Sequence, residues 1–197
     1  LPHPTIQKFT VITVAVVGAS RRFLSLITRH QNEVKFTSAS LQYSNYSGEA
    51  GFVKPYEILT APPAIQKLYE RSCLSDMDCY EQLCKAGISH DSAGYVTPQG
   101  LRNILIISAT PFEWKHIIGQ RSCRRNTDEM RIVILNIWQD LYNLSPTLFL
   151  PEQTGPFCQR EKCLEGKLSC GVPISKSLKP AEISLLDYPN LSGGIDL

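Results

Sequence analysis

Three groups of residues in this chain have types and spacings suited to chemistry. Arg29-His30 closes the run Ser20-Arg21-Arg22-Phe23-Leu24-Ser25-Leu26-Ile27-Thr28 and precedes the polar stretch Ser40-Leu41-Gln42-Tyr43. Read alone, it is a helix with a basic end, where cations suit the helix dipole. Arg121 stands shortly before Asp128 and Glu129, and alone it reads as solvated or paired with one of them. Cys158, Cys163 and Cys170 form a thiol cluster that could serve metal or redox chemistry. Zinc takes four ligands, commonly from close cysteine pairs. The gaps here match no standard zinc pattern, and no histidine follows His116 to complete a set, so a packed or redox-active thiol group is expected ahead of a metal site. The four histidines, His3, His30, His90 and His116, show no metal spacing either.

These residues need elements to position them. Phe9 to Val17 is rich in β-branched residues and stops at Gly18, which predicts a buried strand. Ser20 is a good N-cap for a helix that carries Arg29 and His30 in its last turn. Residues 32–55 show no periodicity and predict a long loop. Pro62-Pro63 opens a long helix in which Ile65, Leu68, Tyr69, Cys73, Met77, Tyr80, Leu83 and Cys84 recur at helical steps, with Gly87 as its left-handed cap. Leu101 to Ile107 predicts a second strand. Thr110-Pro111-Phe112-Glu113 is a capping-box sequence that opens a short helix toward Arg121. The last strong helix starts near Thr127, buries Met130, Val133, Ile134, Ile137, Trp138 and Leu141 on one face, and stops before Pro146. The fold class is α+β: a single mixed domain over residues 1–175, with long helices packed on a sheet, and a peripheral tail over 176–197.

Composition narrows the function. A chain of 197 residues with 43% hydrophobic and 19% charged residues has the make-up of a globular protein with a real core. A net charge of +2 is too mild for a nucleic-acid binder. No segment is long and apolar enough to span a membrane. Seven cysteines without a recognisable leader predict reduced thiols and a cytoplasmic setting. Cys73, Cys79, Cys84 and Cys123 lie in helical patterns and are expected in the core. There is no dinucleotide-binding Gly-x-Gly-x-x-Gly, no phosphate-binding Gly-Lys-Ser/Thr loop and no Gly-x-Ser-x-Gly elbow.

The order of these pieces resembles the flavin-dependent thymidylate synthases. Their core pattern is Ser-Arg, a short helix, Arg-His-Arg, a gap, and Ser-x-Arg-Tyr. His3-Pro4-Thr5 resembles the His-x-Thr before the family's first strand here. Gly87-Ile88, Ala93 and Pro98 are similar to its Gly-Ile and Ala-Arg-x-x-Leu-Pro element. Arg121 with Glu129-Met130-Arg131 is similar to its Leu-Arg and Gln-x-Glu-Ile-Arg helix, and the Cys158 to Gly171 stretch resembles the tail of some bacterial members. The resemblance covers most of residues 1–171 and begins inside the family pattern, so the family's N-terminal portion is expected to lie outside this chain.

The resemblance implies an enzyme, a methyltransferase that converts dUMP to dTMP with methylenetetrahydrofolate. FAD, reduced by NADPH, would supply the hydride, in a site shared within a homotetramer. It implies His3, Thr5, Arg29, His30, Gln31 and His116 at the flavin. Arg29, Ser38, Ser40, Gln42 and Arg121 would face the nucleotide, and Arg121 would polarise the pyrimidine. Arginine suits such a site because its planar fork pairs with phosphate. The chain also departs from the pattern. Gln31 stands for the third motif arginine, Ser38 for a glutamate, Gln42 for the arginine of Ser-x-Arg-Tyr, Gly94 for the arginine of Ala-Arg, and Phe112 for a flavin-side arginine. The gap before Ser40 is one residue longer than the family's. Lys35, Arg124 and Arg125 are the cations at hand to replace the lost ones. Beside the enzyme reading stand a non-catalytic paralogue, an enzyme for another pyrimidine deoxynucleotide, and an interaction module built on the cysteine cluster.

Overall fold

The computed structural model describes residues 4–48 and 51–191. The first strand, β1 (Ile12–Ser20), runs directly into helix α1 (Arg21–Ile27). The joint is made by Ser20, whose extended backbone (φ −73°, ψ 163°) turns its hydroxyl onto the Phe23 N–H at 3.0 Å. The helix is shorter than the sequence predicts. It ends at Ile27, with the Thr28 hydroxyl donating to the Leu24 carbonyl at 2.9 Å, so Arg29 and His30 lie beyond its last turn.

The expected loop over 32–55 contains a strand, β2 (Val34–Ser38). Two short turns of helix follow around the long helix: α2 (Tyr56–Leu59), α3 (Pro63–Lys85) and α4 (His90–Ala93). Gly87 ends α3 at φ +86°, as expected of a left-handed cap. Strand β3 (Arg102–Ala109) sits between β1 and β2 in a three-stranded sheet of order β1-β3-β2. The second half of the described chain is helical: α5 (Pro111–Arg121), α6 (Asp128–Leu144), α7 (Pro151–Thr154), α8 (Phe157–Arg160) and α9 (Pro180–Asp187).

The chain divides into two compact units, and the boundary falls within each of the three strands. One unit holds Leu1–Val14, Arg29–Lys35 and Ser108–Asp196. Its core is aromatic and aliphatic, with Trp114, Ile117, Ile118, Met130, Ile134, Trp138, Phe149 and Ile183 fully buried. Trp114 and Trp138 reach fixed acceptors with their indole N–H groups, the Ile12 and Phe149 carbonyls, at 3.0 and 3.1 Å. The predicted face of α6 is buried throughout, and so are Glu129, Arg131, Ile132 and Leu135. Both α5 and α9 pack on α6, the latter where the sequence predicts a peripheral tail. Arg131 of α6 donates to the Tyr188 hydroxyl at 2.7 Å and to Asp187, which also takes Arg124 at 2.8 Å.

The other unit holds Ala15–Thr28 and Phe36–Ile107. Met77, Tyr80, Ala93 and Leu101 form its centre, with Leu41, Tyr46 and Leu83 packed against it. The Tyr80 hydroxyl accepts from the Tyr46 N–H at 3.2 Å and lies 3.1 Å from His90 Nδ1. Only Cys73, Met77 and Tyr80 of the predicted α3 face are fully buried, and Ile65 and Leu68 are exposed. Cys79 is exposed rather than core, and Cys84 and Cys123 are half-buried. Among the described residues no helix is long and apolar enough to cross a membrane.

Candidate active site

His30 and Arg121 meet although 91 residues separate them, the Arg121 Nε–H donating to His30 Nε2 at 2.9 Å. Helix α5 delivers Arg121 in its last turn, and the stretch after α1 delivers His30, which is 7% exposed. Both belong to the first unit described above. A neutral imidazole that accepts at Nε2 carries its proton on Nδ1. That N–H faces the Glu113 carboxylate, 3.8 Å away. The three side chains thus form a line from Arg121 through His30 to Glu113.

Burial sets the charges along this line. It pulls His30 down to about 4, helped by the positive charge of Arg121 and by His116. It pushes Glu113 up to about 7, helped by the charge of Glu33 and opposed by Lys8. Near neutral pH His30 is therefore neutral, and Glu113 carries a proton in a large fraction of molecules. Arg121 itself is pulled below the usual arginine value, by burial first and by the like charge of Arg29 second. Its Nη1 also reaches Asn126 Oδ1 at 3.4 Å.

Aromatic edges line the same place. The His116 ring meets His30 edge-on at 5.9 Å and Phe157 at 6.5 Å. Phe157 is covered on one face by the Arg160 guanidinium at 5.2 Å. The ligand atoms of His30, Glu113 and His116 lie within 4.8 Å of one another, a set that could receive a metal ion. Electrostatics argue against a cation there. The Arg121 guanidinium bonds His30 at Nε2, which keeps the ring proton on Nδ1, the nitrogen that faces Glu113, and its positive charge stands beside the set.

The predicted site residues are placed as follows. Arg29, His30, Gln31, His116 and Arg121 fall in one unit, with Thr5 in its first turn of 3-10 helix. Thr5, Arg29, Gln31 and His116 are exposed. Ser38, Ser40 and Gln42 belong to the other unit. There Ser40 Oγ accepts from the Gln42 N–H at 3.1 Å, closing a turn. His3 lies outside the described residues. Asp128, one expected partner of Arg121, accepts instead from the Tyr188 hydroxyl at 3.1 Å. Arg124, a possible replacement cation, is engaged by Asp187.

Glu113 and Phe157 are the members that the sequence does not reveal. Glu113 reads as the second half of a capping box. Its N–H does donate to Thr110 Oγ1 at 3.2 Å, but its carboxylate turns to His30. Behind His30, Glu33 adopts a left-handed backbone (φ +56°) that is uncommon for a residue with a side chain. It is held there by Lys8 at 2.9 Å and by the Thr110 hydroxyl at 3.1 Å.

Comparison with known proteins adds four findings. A flavin-dependent thymidylate synthase of Geobacter sulfurreducens is 25% identical over 173 residues, covering 87% of this chain and 72% of its own length. A protein of the same name from Thermococcus onnurineus is 28% identical over 175 residues, covering 84% and 69%. The crystal structure of a UMP/dUMP methylase from Streptomyces cacaoi, bound with 5-Br dUMP, shares the fold at a TM-score of 0.64. It does so with 18% identity, over 75% of this chain and 72% of that one. Residues 1–147 match the family model described as thymidylate synthase complementing protein, and the chain belongs to that family.

Proposed function

We propose that this protein is a flavin-dependent thymidylate synthase, which methylates dUMP to dTMP with methylenetetrahydrofolate. The observation that carries this reading is the 2.9 Å bond between Arg121 and His30. It joins a residue that the family resemblance assigns to the pyrimidine with one that it assigns to the flavin.

The residues present suit FAD. The charge of Arg29 disfavours that of Arg121, and an anion such as a pyrophosphate would relieve that cost. The rings of His116 and Phe157 offer flat apolar surface beside them. FAD, reduced by NADPH, would supply a hydride to the transferred methylene group. Arg29 would hold phosphate, and neutral His30 would fix the direction of the Arg121 guanidinium. Arg121 would stabilise negative charge on the pyrimidine ring as C5 becomes nucleophilic, a contact worth most in the transition state. Thr5, Gln31 and His116 would complete the flavin side, and Ser38, Ser40 and Gln42 the nucleotide side. A homotetramer in the cytoplasm, with folate as second substrate, belongs to the same proposal.

A second reading, a non-catalytic paralogue, is favoured by Gly94. It stands where the family has a phosphate arginine, and a Cβ there would meet Leu41 Cβ at 3.3 Å. Leu41 packs against the adjacent core, so this chain has filled the place with apolar contact. Loss of one charge-assisted contact costs roughly 1.5–3 kcal/mol, which predicts weak dUMP binding.

The test uses the protein reconstituted with FAD and reduced under nitrogen. Addition of dUMP and methylenetetrahydrofolate should reoxidise the flavin and yield dTMP. Arg121→Ala should keep bound flavin but lose most of that turnover, with nucleotide affinity less affected. Wild type and variant equally inert with dUMP and with a panel of other pyrimidine deoxynucleotides would leave the non-catalytic paralogue.

A further inference from the structure

Cys84 and His90 meet across a tight turn, and Tyr80 joins them from the same helix as Cys84. Tyr80 and Cys84 stand four residues apart on α3, so both side chains lie on one face of it. After α3 the Gly87 backbone (φ +86°) reverses the chain. The Gly87 N–H donates to the Cys84 carbonyl and the Ile88 N–H to the Leu83 carbonyl, both at 3.0 Å. His90 then opens α4, whose start is fixed by the Ser92 N–H on Ser89 Oγ at 3.3 Å. This brings Cys84 Sγ to 3.4 Å and the Tyr80 hydroxyl to 3.1 Å from one ring atom, His90 Nδ1. All three residues belong to the second unit. We propose that Cys84 is a modification site, a nucleophilic thiol activated by His90 that is oxidised by peroxide and then capped by a small thiol such as glutathione.

The Tyr80 oxygen already accepts from the Tyr46 N–H at 3.2 Å, so its own proton is aimed at His90 Nδ1 or at the Cys84 sulfur, with which it also hydrogen-bonds. A neutral imidazole that accepts at Nδ1 keeps its proton on Nε2. Nδ1 therefore has one lone pair and two donors within reach. Passage of the Cys84 proton to Nδ1 resolves that competition, because the thiolate then accepts from the imidazolium and from Tyr80. A thiol beside a base that a third group orients is the arrangement that makes cysteine a nucleophile. Tyr80 supplies the orientation: it is fully buried, and its ring lies 27° from the His90 plane with centroids 6.3 Å apart. Cys84 is half-buried and borders the exposed residues 85–89, so a small reagent can reach it.

In the first step the thiolate attacks one oxygen of hydrogen peroxide. A sulfur–oxygen bond forms, the oxygen–oxygen bond breaks, and the departing hydroxide takes the proton from His90 and leaves as water. Cys84 is oxidised to a sulfenic acid and the peroxide is reduced. In the second step a small thiol attacks that sulfur, a disulfide bond forms, and the sulfenic oxygen leaves as water with the thiol's proton. The adduct has no free space on its inner side. Cys84 packs, with Leu41 and Tyr46, on the centre made by Met77, Tyr80, Ala93 and Leu101. Leu41 already sits close, since a Cβ on Gly94 would meet it at 3.3 Å. Capping of Cys84 therefore loosens the stretch 41–46. That this stretch faces a nucleotide rests on the enzyme reading, whereas the modification does not.

The experiment uses the full chain, fully reduced, near neutral pH. Limiting iodoacetamide followed by peptide mass mapping compares Cys84 with Cys79, which is more exposed on the same helix. Exposure alone would label Cys79 first. We expect Cys84 to label roughly tenfold faster, and His90→Gln, with its circular dichroism unchanged, to remove that advantage. Stoichiometric hydrogen peroxide with glutathione should place one glutathione on Cys84, and the adduct should exchange its Tyr46 amide hydrogen faster than the reduced protein does. Cys84 labelled no faster than Cys79, a folded His90→Gln that keeps the advantage, or glutathione carried mainly by another cysteine would each overturn the proposal. Unchanged exchange at Tyr46 would overturn the loosening of 41–46. Should His90→Gln fail to fold, the comparison of the two thiols in wild type still decides. No readout involves flavin or nucleotide, so failure here is distinguishable from failure of the enzyme reading.

Discussion

At His30 a single hydrogen bond decides the chemistry, because the Arg121 Nε–H occupies Nε2 and leaves the ring proton on Nδ1, toward Glu113. Glu113 is then a carboxyl kept protonated by burial, and its folded-state value of about 7 stands above the ordinary 4.5. A raised value means that the stabilising state is the protonated one. Stability from this group is complete below about pH 4.5 and is lost as pH rises through 7. Glu113→Gln removes that loss. We expect the variant to match wild type near pH 4 and to exceed it by of the order of 2 kcal/mol at pH 8 in denaturant melts. The cost of leaving His30 uncharged, felt below its ordinary value of 6.5, is common to both proteins and drops out of the difference. A variant that is less stable at pH 8 would show that the carboxylate is ionised and paired. Arg29 makes a separate prediction. As an exposed cation whose charge Arg121 feels, it is placed to meet a phosphate, and Arg29→Ala should weaken FAD at least tenfold by fluorescence titration. The sequence names His30 and Arg121 individually, through their motifs. Nothing in spacing could reveal that Glu113 joins them, because Thr-x-x-Glu at a helix start already has a sufficient local explanation.

The elements were legible where local chemistry alone decides them. Ser20, Thr110, Pro63 and Gly87 mark helix ends that the structure reproduces, since a cap or a left-handed turn depends on a few neighbouring atoms. Ser20→Ala should therefore cost about 1 kcal/mol of stability, read as a shift in denaturant midpoint at constant m. An unchanged midpoint would mean that the Phe23 N–H finds another acceptor. Elements went unread where pairing partners decide. The β1 strand runs to Ser20 rather than stopping at Val17, because the chain feeds straight from strand into the cap. β2 is only five residues, too few for its Val34, Phe36 alternation to stand out in a polar stretch. The Pro and Ser content of the tail after residue 176 predicts a peripheral segment, yet α9 brings Asp187 to Arg124 and Arg131. Arg131 is nearly fully buried, and removing its counter-charge strands a guanidinium. Asp187→Asn should cost about 3–5 kcal/mol, and an unchanged denaturant midpoint would exclude a specific role for the ion pairs.

At the scale of the whole molecule, the residues assigned to flavin and to nucleotide are divided between two compact units of the chain. Family motifs order them along the sequence but carry no information on which chain supplies each one in an assembly. The second unit offers a surface on which the proposed assembly could be built. Val17 on β1 and Ile104 and Ile106 on β3 are 74%, 52% and 42% exposed, on adjacent strands. An uncovered apolar sheet face of this kind is uncommon on a monomer and typical of a surface that a partner covers. Light scattering at tens of micromolar should therefore give a mass that is a multiple of 22.1 kDa, four times that figure if the tetramer is right. Ile104→Lys together with Ile106→Lys places two charges on the face, each of which would have to be desolvated on association. We expect that double variant to keep its circular dichroism and fall to the monomer mass. If FAD is held between subunits, the same variant should lose flavin although Arg29, His30 and Arg121 are untouched. A wild-type mass of one chain would refute the assembly, and a monomeric variant that keeps its flavin would place the whole cofactor site within a single chain.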